Sequence, residues 1–202
     1  MNNYSKQLVS AFDMECRKEL SMSLSKAYLL SFQGAKEFGS FWRQAQSYLK
    51  WLYSDMLVEK AANSLKIQCD ISLNTAKNSR HPTLHSNGWA LTAHSVESKG
   101  VLPRAAKYRS IYSSLNRDLF EEIENIEHIG QSSGHVYLLH SGKNQAISTL
   151  NLTIPTPDSS GIIYTESVAI YSPNEVEIEK VDDELDDKFK ILTETLLKQN
   201  EK

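Results

Sequence analysis

Three strand-like stretches, His135–His140, Ala146–Ile154 and Ile162–Tyr171, follow one another with only the turns Ser141–Asn144 and Pro155–Gly161 between them. A parallel connection needs a dozen or more residues, so turns this short commit the segment to antiparallel pairing in sequence order. In the middle stretch Ser148, Leu150, Leu152 and Ile154 alternate with Ile147, Thr149, Asn151 and Thr153, the two-residue period of a pleated strand. Such a meander needs apolar cover from elsewhere, and the long helical periodicities upstream can supply it.

Leu8, Phe12, Cys16, Leu20 and Leu24 recur every four residues, which predicts a helix over 7–30. The serines within Ser21–Ser25 compete for backbone hydrogen bonds and predict a break there. Gly34 and Gly39 bracket a turn. From Ala35 to Leu65, Phe38, Phe41, Trp42, Ala45, Tyr48, Leu49, Leu52, Tyr53, Met56 and Leu57 keep helical spacing, and Trp51 widens the stripe. An arc that broad predicts contact on two sides, with burial stabilising by about 1.5–3 kcal/mol per large side chain.

Two further strands are predicted before the meander, Lys66–Leu73 and Trp89–Val96. Asn74–Asn87, with Pro82 inside it, reads as a polar connector, and Asn87-Gly88 is a turn dipeptide. Pro103 reads as the first residue of a helix running to about Asn116, with Ala105, Tyr108, Ile111, Tyr112 and Leu115 on its apolar face. Asp118–Ile129 reads as a short acidic helix or a loop with helical turns. Leu185, Phe189, Leu192, Leu196 and Leu197 predict a C-terminal amphipathic helix.

The expected class is therefore α+β: N-terminal helices packed on a mixed or antiparallel sheet of about five strands, with a C-terminal helix. One compact domain, 1–202, is expected, made of a helical portion (1–65), an α+β portion (66–173) and an acidic segment with the terminal helix (174–202). The start, MNNYSKQL, lacks a basic-then-apolar leader, and no apolar run approaches the roughly 18 residues of a membrane span. Cys16 and Cys69 form no pattern of a disulfide framework. A cytoplasmic protein without membrane contact is the expectation.

Charge is unevenly spread. Lys77–Arg109 carries six basic residues against Glu97 alone, whereas Glu175–Asp187 carries eight acids against Lys180. A cation in the first turn of a helix opposes the macrodipole, which an anion bound at that helix end reverses. With Arg104 read into that position, Lys77, Arg80, His81, Lys99, Arg104, Lys107 and Arg109 form the predicted phosphate- or nucleic-acid-binding set. Lys107 and Arg109 also flank the apolar stripe, where their stems can cover a core contact. The histidines His81, His85 and His94 lack the company of a zinc signature, no serine sits in a nucleophile elbow, and no glycine-rich phosphate loop is present. No catalytic residue, metal ligand or cofactor is assigned on these grounds.

The predicted function is a non-catalytic binding or regulatory protein that contacts phosphate, above all on nucleic acid. It contacts a protein partner through the aromatic helix or the C-terminal helix. Two alternatives stand beside it. Asp70 ends one strand and Glu97-Ser98-Lys99 ends the next, which resembles the pattern of PD-(D/E)xK nucleases. The resemblance implies a metal-dependent phosphodiesterase with Asp70 and Glu97 holding Mg²⁺ and Lys99 positioning water. The other alternative is a subunit of a protein assembly that never touches nucleic acid.

Overall fold

The computed structural model describes residues 3–73, 80–98, 100–119 and 134–172. Lys77, Lys99, most of the stretch expected as a short acidic helix and the expected C-terminal helix lie outside the described residues. Met1–Tyr171 forms one compact unit and Ser172–Lys202 a second. The first is α+β, with the helices α1 (Asn3–Ala11), α2 (Met14–Ala35), α3 (Trp42–Ser64) and α4 (Lys107–Ser113). Six strands accompany them: β1 (Gln68–Leu73), β2 (Arg80–Ser86), β3 (Trp89–Ser95), β4 (Gly134–Lys143), β5 (Ala146–Pro155) and β6 (Ile162–Ser167).

The first helical break falls at Asp13 rather than in the serine run. Asp13 has extended backbone angles, and its carboxylate accepts from Cys16 N at 2.9 Å, capping α2. Ser21, Ser23 and Ser25 are buried within an unbroken α2, where small side chains let a neighbouring helix approach. That neighbour is α3, returning antiparallel: Phe32 meets Trp42, and Tyr28 lies under Lys50. The expected start of α3 at Ala35 is displaced to Trp42. Gly39, at φ 53°, sits in the left-handed region and breaks the chain into a short 3-10 stretch, Lys36–Phe41. Of the broad apolar arc, Leu49, Tyr53, Leu57 and Val58 are buried, while Phe38, Phe41, Tyr48 and Leu52 face solvent.

The sheet runs β1-β2-β3-β4-β5-β6 in space, as in sequence. Every adjacent pair is antiparallel except β3–β4, which is parallel and starts at Trp89 opposite Gly134. The sheet has one strand more than expected because residues 80–86, read as connector, form β2. Its Pro82 faces Ile71 of β1, but the β2–β3 ladder covers only Leu84–Ser86, so the proline lies where the side facing β3 is unpaired. Asn87 and Gly88 both take positive φ (44° and 77°) and close the β2–β3 hairpin with the turn their identities predict.

Alternation and register divide the sheet into two unlike faces. Leu84, Leu91, Val136, Leu138, Leu150, Leu152 and Ile154 share one face and pack with Leu8, Phe12, Leu20, Leu24 and Val58 into the core. Thr83, Thr92, His94, His135, Tyr137, Asn151 and Thr153 share the other face, and all are buried. Against this polar face lie α4 and the 3-10 turn that follows it. The expected helix from Pro103 begins four residues later, after Ala106 in extended conformation. Its apolar stripe leads inward only in part: Tyr112 packs on His135 and Tyr108 on His81, but Ile111 is exposed, and Ser113 and Asn116 are the buried residues, matched to a polar surface.

Candidate functional site

The polar face is held by a chain of side-chain hydrogen bonds. Thr92 Oγ1 bridges His94 Nε2 at 2.9 Å and His135 Nε2 at 3.0 Å. Ser113 Oγ lies 3.1 Å from the Tyr137 hydroxyl and 3.5 Å from His135 Nδ1. On the apolar side, the Tyr28 hydroxyl meets His140 Nδ1 at 3.1 Å. Burial holds all three imidazoles neutral, with Arg109 adding repulsion at His94 and His135 and Lys50 at His140. His135 and His140 are pushed down to about 3.

At the carboxyl ends of β3 and β4 the sheet opens. The β2–β3 ladder stops at Leu84/Leu91, so the start of β2 and the end of β3 diverge, and a cavity of about 250 Å³ occupies the opening. Its walls are Trp51, Ser54 and Asp55 from α3, His81 from β2, Ala93, His94 and Ser95 from β3, His140 from β4, and Arg109 from α4. Trp51, Ser54 and Asp55 are spaced three and four apart and therefore share a helix face.

Asp55 and His81 are hydrogen-bonded at 3.2 Å (Oδ2 to Nδ1). Burial raises the Asp55 carboxyl pKa, opposed by hydrogen bonds from His81 and Trp51. The His81 ring stacks on Tyr108 of α4, with centroids 5.0 Å apart and planes at 16°. Arg109 lies over Tyr108, 5.1 Å from the ring centroid, and donates to the Arg104 carbonyl. Three polar atoms remain over, the Tyr108 hydroxyl among them. Ser54 Oγ, on a residue only 4 % exposed, and Arg109 Nε are buried without a hydrogen-bond partner among the described residues. A buried polar group left unpaired costs about 1–3 kcal/mol.

The structure brings together part of the basic set read from sequence. Arg80 and His81 open β2, and the His81–Tyr108 stack sets them beside the segment carrying Arg104, Lys107 and Arg109. Arg80, Arg104 and Lys107 are exposed and Arg109 is half-buried. Arg104 is not in the first turn of a helix, since α4 starts at Lys107, so the dipole argument made for it does not hold. Asp55 and Ser54 escape the sequence reading, which takes Trp51 only as part of an apolar stripe. The available signal was an acid on the buried stripe shared with Val58 and Ala62.

The nuclease-like pattern is not assembled. Its two strands are not neighbours, because β2 lies between β1 and β3. Asp70 is level with Thr83, and continuing the β2–β3 register puts Thr83 level with Thr92, short of Glu97 along the strand. Two interstrand spacings and that stretch of strand separate the acids by roughly 10 Å across and roughly 16 Å along. Asp70 instead pairs with His85 at 3.2 Å. Among the described residues, no cluster of histidine, cysteine or carboxylate side chains is arranged for a metal ion, and no helix is long and apolar enough to cross a membrane. The thiols of Cys16 and Cys69 are pushed up to about 12 and about 11 by burial, which leaves neither a nucleophile at neutral pH. No protein-family model, curated protein or solved structure matches this chain.

Proposed function

We propose that this is a non-catalytic, cytoplasmic binding protein of regulatory type that engages phosphate groups of nucleic acid where β2 begins and α4 passes it. The observation that carries this is the His81–Tyr108 stack, which joins two basic stretches remote in sequence at the rim of a cavity lined by Arg109. Exposed Arg80, Arg104 and Lys107 supply phosphate contacts that do not read sequence, and half-buried Arg109 supplies one in fixed orientation. The two free thiols, Cys16 and Cys69, support a reducing compartment.

Fluorescence anisotropy with single- and double-stranded DNA and RNA tests the proposal. With these four phosphate contacts, affinity falls by roughly a hundredfold between 50 and 200 mM salt. Replacing Arg80, Arg104 and Lys107 together with Ala removes most of that affinity and flattens the salt slope. Absence of binding at low salt, or binding indifferent to salt, overturns it. A second reading, a subunit of a protein assembly, is favoured by the solvent-facing Phe38 and Phe41 of the 3-10 stretch and Tyr48 and Leu52 of α3. It predicts a stable complex or self-association in sedimentation, lost when Phe41 and Tyr48 become Ser.

A further inference from the structure

We infer that the cavity between α3, β2 and α4 takes a single nucleotide with a guanine base, its base edge on Ser54 and Asp55 and its phosphate on Arg109. This rests on the phosphate-binding reading above and goes further, because it assigns a base-reading pocket to a protein otherwise expected to contact only the backbone of a nucleic acid.

The first argument is the cavity's position and size. It lies at the carboxyl ends of the parallel pair β3–β4, in the opening where β2 and β3 part. Its volume of about 250 Å³ is slightly below the usual range for ligand pockets, about 300–1,000 Å³. That suits one nucleoside unit rather than an extended strand. The rest of a bound nucleic acid would run outside, over Arg80, Arg104 and Lys107.

The second argument is the unused hydrogen-bonding capacity. Ser54 is buried to 4 % exposure, lines the cavity, and its hydroxyl has no partner. On another wall Arg109 Nε also lacks a partner, while the rest of that guanidinium is held by the Arg104 carbonyl and Tyr108. Buried polar atoms without partners mark places where a ligand or ordered solvent completes the network. The cavity thus holds an anion-binding group and a hydroxyl in want of partners, beside a carboxylate.

The third argument is which base that carboxylate accepts. An ionised carboxylate is acceptor-only. Guanine presents N1–H and the 2-amino group side by side, two donors for the lone pairs that Asp55's bonds from His81 and Trp51 leave over, with the O6 acceptor adjacent for a hydroxyl donor such as Ser54. Adenine and cytosine place a ring-nitrogen acceptor beside their amino group, and uracil flanks its single N–H with two carbonyls, so each of these sets a lone pair against Asp55. Trp51 and His81 add aromatic edge to the lining, although the His81 ring is itself stacked on Tyr108 and Trp51 lies 6.0 Å from it.

Isothermal titration of the full chain with GMP, AMP, CMP and UMP at constant ionic strength tests this. GMP is expected to bind, and the other three to bind weaker on the order of tenfold or more. Asp55→Asn should bring GMP down to the level of AMP while leaving salt-dependent oligonucleotide binding in place. Arg109→Ala should weaken GMP more than guanosine, which has no phosphate. Ser54→Ala, which removes only an unpartnered hydroxyl and keeps the Asp55–His81 pair, is the variant to use should Asp55→Asn not fold, and it should weaken GMP several-fold. Equal binding of all four nucleotides, or oligonucleotide binding with no uptake of GMP, overturns the guanine pocket and leaves the phosphate-binding reading standing. Failure of oligonucleotides and nucleotides alike overturns both.

Discussion

Asn116 makes three buried bonds to the main chain. It accepts from His135 N at 2.7 Å and donates to the His135 carbonyl at 3.1 Å and the Pro155 carbonyl at 2.9 Å. Asn116→Ala orphans all three groups, so a loss of about 3 kcal/mol is expected in urea unfolding, against a surface substitution's few tenths. His135 and His140 act on stability through protons. Both are held near 3 when folded, well below the ordinary value of 6.5. A depressed folded pKa gives stability that is complete above about 6.5 and declines as pH falls from there toward 3, because the unfolded chain takes up protons that the folded one refuses. Each should cost about 2 kcal/mol at pH 5 relative to neutral pH. Urea midpoints at pH 7.5 and pH 5 measure the sum, to which buried His94 adds in the same direction, and identical midpoints would mean that the imidazoles are charged in the fold.

At the level of elements, the β4–β5 hairpin depends on one glycine. The register shifts between Ser141 and Gly142, and a Cβ on Gly142 would lie 2.1 Å from the Ala146 carbonyl oxygen and 2.8 Å from Ile147 Cα. Both are backbone atoms and cannot swing aside. Gly142→Ala should therefore lower stability by about 1–3 kcal/mol, visible as a drop in Tm. Elements of this kind were legible in the sequence where one residue type has one physical use: Asn87-Gly88 closes its hairpin as read, and the β4–β6 meander follows from turns too short for anything else. Legibility failed where polar residues go inside. Residues 80–86 were read as connector because they are polar and contain Pro82, yet Thr83 and Leu84 are buried in β2. The inward side of α4 and the turn after it is legible only in part, because Ser113 and Asn116 meet the sheet beside Tyr112 while Ile111 does not. For the cavity, the basic rim was visible as a charge cluster. Its α3 wall was not, because a single acid on a buried stripe shows its meaning only once His81, remote in sequence, is seen to face it.

Across the whole molecule, one apolar face and one polar face divide the tasks of the sheet. Burial against α1–α3 supplies stability through a continuous core of leucines and aromatics. The histidine, threonine and tyrosine layer on the other side adds directional bonds that hold α4, and with it Tyr108 and Arg109, in one place over the cavity. The parallel contact between β3 and β4 has a further consequence, in time rather than space. It joins two three-stranded halves, β1–β3 and β4–β6, in each of which every strand pairs with its neighbour in sequence. Each half can zip locally, whereas the seam between them must wait for a long loop to close. A chain leaving the ribosome therefore carries β3 as a bare edge, with Trp89 uncovered, until Gly134 and the strand behind it have been made. For that interval it offers any passing strand the pairing later reserved for β4.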